Sequence, residues 1–177
     1  MKKIILLFLG ILFIGCQQIE KKNNDVLNRT LIDQTELNNK LVTYANHMSS
    51  KNIDGMLSMM TDDATWRFPH VNSNKRVEAN GKDQLKATFS AVFNQFKELK
   101  IDAYDSEPVI LAVKTESGDR WLLRWTTYKF VNNMDIEFMV PWHMAVLFDE
   151  NDMIKTVNSW YDRTNLVKTY TEGDIIK

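Results

Sequence analysis

The sequence predicts an α+β domain in which helices come first and a sheet of long strands follows. Three observations lead there. Apolar residues recur with helical spacing in three separate stretches of the first hundred residues. From Lys100 onward the spacing changes to an alternation of two. The alternating stretches are joined by short turn-forming segments, the pattern of antiparallel strands laid side by side with the helices on one face.

The folded part begins at Asp33, whose spacing to Glu36 is that of a capping box at a helix start. Leu37, Leu41, Tyr44, Ala45 and Met48 then form one apolar stripe, and Ser49 to Asn52 breaks it. Ile53, Met56, Leu57 and Met60 mark a second, short helix, which Thr61-Asp62-Asp63 closes with turn-favouring side chains. Ala64, Trp66 and Phe68 alternate with Thr65 and Arg67, so a first strand runs to Pro69. His70 to Asn80 reads as a polar loop. After Asn80-Gly81, a third helix carries Leu85, Phe89, Val92, Phe93 and Phe96 on its buried stripe.

These residues also carry a resemblance. Tyr44, separated by eight residues from Ile53-Asp54-Gly55, then Leu57, Met59-Met60 and Asp62-Asp63-Ala64-Thr65, resembles the opening of the nuclear-transport-factor-2-like superfamily, which includes SnoaL-like polyketide cyclases, ketosteroid isomerases and limonene epoxide hydrolases. The closing stretch from His143 through Phe148-Asp149 to Trp160-Tyr161-Asp162 is similar to the superfamily's ending, so the resemblance covers about Asp33 to Tyr170. It implies a conical barrel: a curved antiparallel sheet closed by the three N-terminal helices around a pocket.

Ahead of the domain stands an export signal. Lys2 and Lys3 precede an apolar run from Ile4 to Ile14, about 11 residues and roughly 17 Å as a helix. That is short of the ~30 Å core of a bilayer. A basic start, a short apolar centre and a small residue before the cut site describe a signal peptide over residues 1–15. Phe13-Ile14-Gly15-Cys16 resembles a bacterial lipoprotein box, with Phe13 where Leu, Val or Ile is usual; a simple secretory signal is the alternative. On the lipoprotein reading Cys16, the sole cysteine, carries lipid and holds the protein in the bacterial cell envelope, on the periplasmic or outer surface of a membrane. Residues 16–32 are polar and without period, a flexible tether. Residues 33–170 form the domain and 171–177 a tail. A net charge of −1, with both signs dispersed, gives no footprint for nucleic acid.

Turn signals suggest a register for the later strands. With Asn132-Asn133 as a two-residue hairpin tip, Trp121 stands opposite Met144 and Trp125 opposite Val140. With Asp149 to Asp152 as the next loop, Met144 stands opposite Val157 and Trp142 opposite Ser159. Trp121, Leu123, Trp125, Trp142, Met144, Val146, Val157, Ser159 and Tyr161 then share one face. Leu122, Arg124, His143, Ala145, Asn158 and Trp160 share the other. Pro141 cannot donate a ladder hydrogen bond, and a bulge there would turn His143 inward. The aromatic face is either plain core or, as the resemblance implies, the wall of a pocket lined by Tyr44, Phe68, Trp121, Trp125, Trp142, Met144, Val157, Ser159 and Tyr161.

The chemistry on offer is thin. Aligned with the ketosteroid isomerases, Tyr44 matches their oxyanion-binding tyrosine. Phe68 and Met144 stand where they hold a base and a second acid, and neither side chain can take a proton. Three dispersed histidines give no metal spacing, and no motif calls for a cofactor. The sequence therefore points to a lipid-anchored domain that binds an apolar small molecule without catalysis. The alternative is a SnoaL-like cyclase, isomerase or dehydratase using Tyr44, His143 or Asp162; a third reading is a protein-binding module with an exposed apolar patch on the outer sheet face. That outer face, with Leu122, Ala145, Leu147 and Trp160, is the expected surface of a homodimer.

Overall fold

The computed structural model of the protein describes residues 29–72, 75–101 and 107–161. The readings placed on Cys16, on most of the tether and on Asp162 lie outside these residues. The architecture is α+β: three helices on one side of a curved, unclosed sheet of eight strands.

The helices follow their apolar stripes. Helix α1 (Thr35–Ser49) buries Leu37, Leu41, Tyr44, Ala45 and Met48. Its start departs from the expected capping box: Gln34 is the N-cap, and the Asp33 carboxylate accepts from the Thr35 N–H at 2.9 Å. Helix α2 (Ile53–Ser58) is capped by Asn52, whose Oδ1 accepts from the Gly55 N–H at 2.9 Å. At Gly55 a Cβ would lie 2.5 Å from His47 Nδ1, so any side chain there would displace the His47 ring. Helix α3 (Gly81–Phe93) buries Leu85, Phe89 and Phe93. It leaves the preceding strand through Gly81 at φ +75°, a turn that suits glycine.

Strands occupy stretches that read as turn or loop. Strand β1 (Thr30–Leu31) pairs with β5 (Val109–Lys114), so the last residues of the expected tether already belong to the sheet. Strand β2 runs from Met60 to Asn72, through the Asp62-Asp63 pair expected to be a turn. Strand β3 (Lys75–Asn80) returns beside it where a polar loop was expected. Phe96, expected on the third helix, opens strand β4 (Phe96–Ile101). The long strands β6 (Arg120–Asn132), β7 (Glu137–Phe148) and β8 (Ile154–Tyr161) lie close to their predicted bounds.

The sheet order is β1-β5-β6-β7-β8-β2-β3, with β4 also on β6. β5 takes the first half of β6 and β4 the second, both antiparallel. One pair breaks the antiparallel expectation: β2 and β8 run parallel, joined through Trp66↔Val157 and Arg67↔Asn158. The register between them slips from Met60↔Ile154 to Thr65↔Thr156, so the Asp-Asp-Ala-Thr stretch accommodates a bulge within β2.

The β6–β7 register corrects the sequence reading. Trp121 stands opposite Leu147, not Met144, and Trp125 opposite His143, not Val140. The hairpin tip is longer than two residues. Asn132 N–H donates to the Ile136 carbonyl, the Asn132 side chain accepts from the Met134 and Ile136 N–H groups, and Asp135, not an asparagine, holds the positive φ of 62°. The resulting three-residue slip is odd, so every β6 side chain changes face relative to β7. Leu122 at 0% exposure and Arg124 at 3% are therefore inside, and Trp121, Leu123 and Trp125 are outside. No bulge forms at Pro141, which stands opposite Thr127 in an unbroken β6–β7 ladder. The described part of β8 reaches β7 only as far as Trp142, so the missing N–H of Pro141 interrupts no described pairing on that side.

Candidate functional site

The candidate site is the region between the helices and the inner sheet face. Alternation along β6 sends Leu122, Arg124, Tyr128 and Phe130 inward. β7 adds Trp142, Met144 and Val146, and β8 adds Val157, Ser159 and Tyr161. Their β7–β8 pairing differs from the expected one by two residues: Met144 stands opposite Ser159 and Trp142 opposite Tyr161. An even shift preserves facing, so these side chains lie on the same side as expected. Tyr44 reaches this region from α1 and lies 6.1 Å, centroid to centroid, from Trp66 on β2. Phe68 follows on the same face of β2, its ring stacked on Trp66 at 6.3 Å.

Of the expected lining residues, Tyr44, Phe68, Trp142, Met144, Val157, Ser159 and Tyr161 thus fall on the inner side. Trp121 and Trp125 do not. They were assigned through the wrong hairpin tip and lie on the outer face, where Trp125 is 37% exposed. Arg124, Tyr128 and Trp66 are inner residues that the sequence reading missed. A tip centred on Met134 would have exposed the first two; nothing local signals that Trp66 meets β8.

An aromatic ladder crosses the inner face. Tyr128 stacks on Trp142 at 4.5 Å, and Trp142 on Tyr161 at 3.9 Å. Beside it runs a buried polar link: Trp66 Nε1–H donates to Ser159 Oγ at 3.1 Å, and the Ser159 hydroxyl donates to the Arg67 carbonyl at 3.0 Å. Tyr44, 4% exposed, is held far from ionisation. Burial pushes its pKa well above the ordinary value, and the neighbouring Tyr128 adds to the shift.

His143 lies on the opposite side of the sheet from Tyr44. It is sandwiched between Trp125 at 4.6 Å and Trp160 at 5.0 Å, and the guanidinium of Arg76 caps Trp160 at 4.6 Å from its ring centroid. Tyr44 and His143 therefore cannot act on one substrate atom. Asp162 lies outside the described residues. Among the described residues, the inner face carries no carboxylate and no imidazole in the core, and no three His, Cys, Asp or Glu side chains gather as metal ligands. No described helix is long and apolar enough to cross a membrane.

Comparison with known proteins agrees with this architecture. The family model described as SnoaL-like domain matches residues 41–154, from the middle of α1 to the first residue of β8. The chain belongs to the SnoaL-like family. Solved structures share its nuclear-transport-factor-2-like fold. An NTF2-like protein from Burkholderia xenovorans LB400 is 15% identical, with a TM-score of 0.56 over 76% of this chain and 95% of that one. A candidate polyketide cyclase from Xanthomonas campestris pv. campestris is 9% identical, with a TM-score of 0.60 over 76% and 96%. The epoxide hydrolase/cyclase-like enzyme SalBIII, with a role in pyran ring formation in the polyether salinomycin, is 13% identical, with a TM-score of 0.58 over 75% and 95%. At these identities the likeness establishes the fold of this SnoaL-like chain and leaves its chemistry to its own residues. No curated protein matches it.

Proposed function

We propose that this SnoaL-like domain is a lipid-anchored binder of an apolar small molecule, which it holds between the helices and the inner sheet face without turning it over. The observation that carries the reading is the composition of that face. Tyr128, Trp142 and Tyr161 form a stacked aromatic wall, and Met144 and Phe68 occupy the positions where a related isomerase would keep proton-transferring groups. Such a wall gains from apolar burial at roughly 25 cal/mol per Å² and from ring stacking. Proton transfer needs a group that can change its protonation state near the working pH. Tyr44 is pushed away from that range, and His143 faces the other side of the sheet. The lipid on Cys16 would hold the domain at a membrane of the cell envelope, and a second copy would cover the outer face.

The test is to purify the full-length protein from its membrane fraction, extract it, and identify by mass spectrometry what co-purifies. The recovered compound is then incubated with stoichiometric protein. Unchanged compound in stoichiometric yield is the expected result. Conversion that disappears in Asp162→Asn or Tyr44→Phe would replace the binding reading with that of a SnoaL-like enzyme, the activity class to which the Xanthomonas and SalBIII names point.

A further inference from the structure

The two most exposed large apolar side chains among the described residues stand on one edge of the sheet. Leu31 on β1 is 68% exposed and Val109 on β5 is 65%. Leu31 pairs with Val113, and alternation puts Val113, Leu111 and Val109 on one side of β5, with Leu111 also exposed. A row of apolar side chains roughly 13 Å long therefore borders the sheet. Folded proteins usually cover or charge such an edge, because an open one recruits other chains. Another strand is a poor cover here. β1 already pairs with Val113 and Lys114, and the Ile32 N–H donates to the Ala112 carbonyl at 3.1 Å. Among the described residues only Val109 to Leu111 are left with no strand on that side, and Pro108 just ahead of them has no N–H to offer.

This edge is also where the chain enters the fold. β1 is the first described strand, and Thr30 follows Cys16 by 14 residues, a length that spans at most roughly 50 Å. A lipid on Cys16 would thus confine the β1 edge to the neighbourhood of a bilayer, with β3 at the opposite edge of the sheet. A surface so confined needs little affinity of its own, since tethering makes its docking intramolecular. Its charges suit a headgroup layer. Arg29, exposed just ahead of β1, and Lys114, opposite Thr30, set two cations beside Leu31, where lipid phosphates can meet them. The exposed Glu107, two residues before Val109, can face the ammonium of a zwitterionic lipid.

We infer that the β1–β5 edge is a membrane-docking surface, with Leu31 and Val109 entering the boundary between headgroups and acyl chains. This goes beyond the anchor on Cys16 and rests on it. The lipid supplies the hold, and the edge fixes how the domain stands: the sheet rises from the bilayer with β3 away from it. The edge is the rim of the sheet, to one side of the Trp125, His143 and Trp160 stack, so docking through the one and pairing through the other are compatible.

The test uses the full-length protein reconstituted into vesicles of phosphatidylethanolamine and phosphatidylglycerol. Leu31→Cys, Val109→Cys and, as a control on β3, Glu78→Cys each add one free thiol, the sole native cysteine being the lipidated Cys16. Each thiol carries an environment-sensitive fluorophore. Interfacial apolar groups lie roughly 5–10 Å into the headgroup and acyl boundary, so a lipid spin-labelled high on its chain should remove at least about half of the emission at Leu31 and Val109. The Glu78 probe should keep its emission and be quenched by iodide from the water instead. Leu31→Asp should return the Val109 probe to iodide while the protein still floats with the vesicles. If all three probes respond alike on protein that floats, the docking is wrong and the anchor stands. Protection that appears only as the protein-to-lipid ratio rises would assign the edge to a second copy and overturn the inference. Protein that neither floats nor carries fatty acid would remove the anchor and the docking together.

Discussion

The imidazole of His143 lies flat against the indole of Trp125, with ring centroids 4.6 Å apart and planes 15° from parallel. Trp160 covers the other face of the ring at 5.0 Å. Enclosure between two indoles lowers the histidine pKa below its ordinary 6.5, because burial disfavours the charged form. The unfolded chain therefore binds a proton here more readily than the folded one. The stability this confers is complete above pH 6.5 and is lost as pH falls through the folded-state value. Urea midpoints measured across that window should decline on the acid side. In His143→Gln the decline should disappear, while the carboxylate-driven loss at still lower pH remains.

The stacked rings of Trp125, His143 and Trp160 stand on a sheet face that none of the three helices covers. Trp125 is 37% exposed and Trp160 41%, beside Leu111 at 40% on β5. A two-fold pairing of chains would present this patch to itself and bury it. The corrected register also changes the test. Leu122 is an inner core residue, so its substitution would report on folding instead of association. Trp160→Glu places a charge on the outer patch and should yield monomers by light scattering, with the thermal transition nearly unchanged. A wild-type domain that is already monomeric at high concentration would refute the pairing.

Ser159 is fully buried and mediates between the Trp66 indole and the Arg67 backbone. Ser159→Ala leaves an enclosed N–H and an enclosed carbonyl oxygen with one partner fewer each. We expect a loss of about 1–3 kcal/mol in urea unfolding. Ser159→Thr keeps the hydroxyl but adds a methyl group to a packed site, and should cost less than Ser159→Ala only if the core yields. The β-branched side chain is otherwise well suited to a strand.

Cys16→Ser removes the thiol that lipid would occupy. The expected outcome is that the protein leaves the membrane fraction, or accumulates as precursor, and no longer takes up labelled fatty acid. Unchanged fractionation and labelling would rule out the anchor.

The elements that sequence period could reveal are those whose packing is local. The α1 stripe is legible because a helix buries every third or fourth residue whatever lies opposite it. The long strands β6 to β8 are legible from alternation and turns. Strands β1, β3 and β4 are short, and β3 is polar, so no periodic signal marks them. The parallel contact of Trp66 with Val157 joins residues 91 positions apart, and nothing local encodes it. Facing was legible on β7 and β8 because the tip was misjudged by an even number of residues. On β6 the misjudgement was odd, which moved Trp121 and Trp125 outward and hid Arg124 and Tyr128. The tip centred on Met134, with Asp135 at φ 62°, is what goes with Trp121 and Trp125 facing outward.

The position of β8 has a consequence for how the molecule comes into being. β8 is the last described strand, yet it lies in the middle of the sheet, between β7 and the β2–β3 hairpin. Until it arrives, the first hairpin has no neighbour, and the two halves of the sheet are separate pieces. Synthesis from the N-terminus delivers β2 and β3 early and β8 nearly last. Closing so long a loop makes such pairing slow. The two halves of the sheet can therefore join only when nearly all of the described chain has been made.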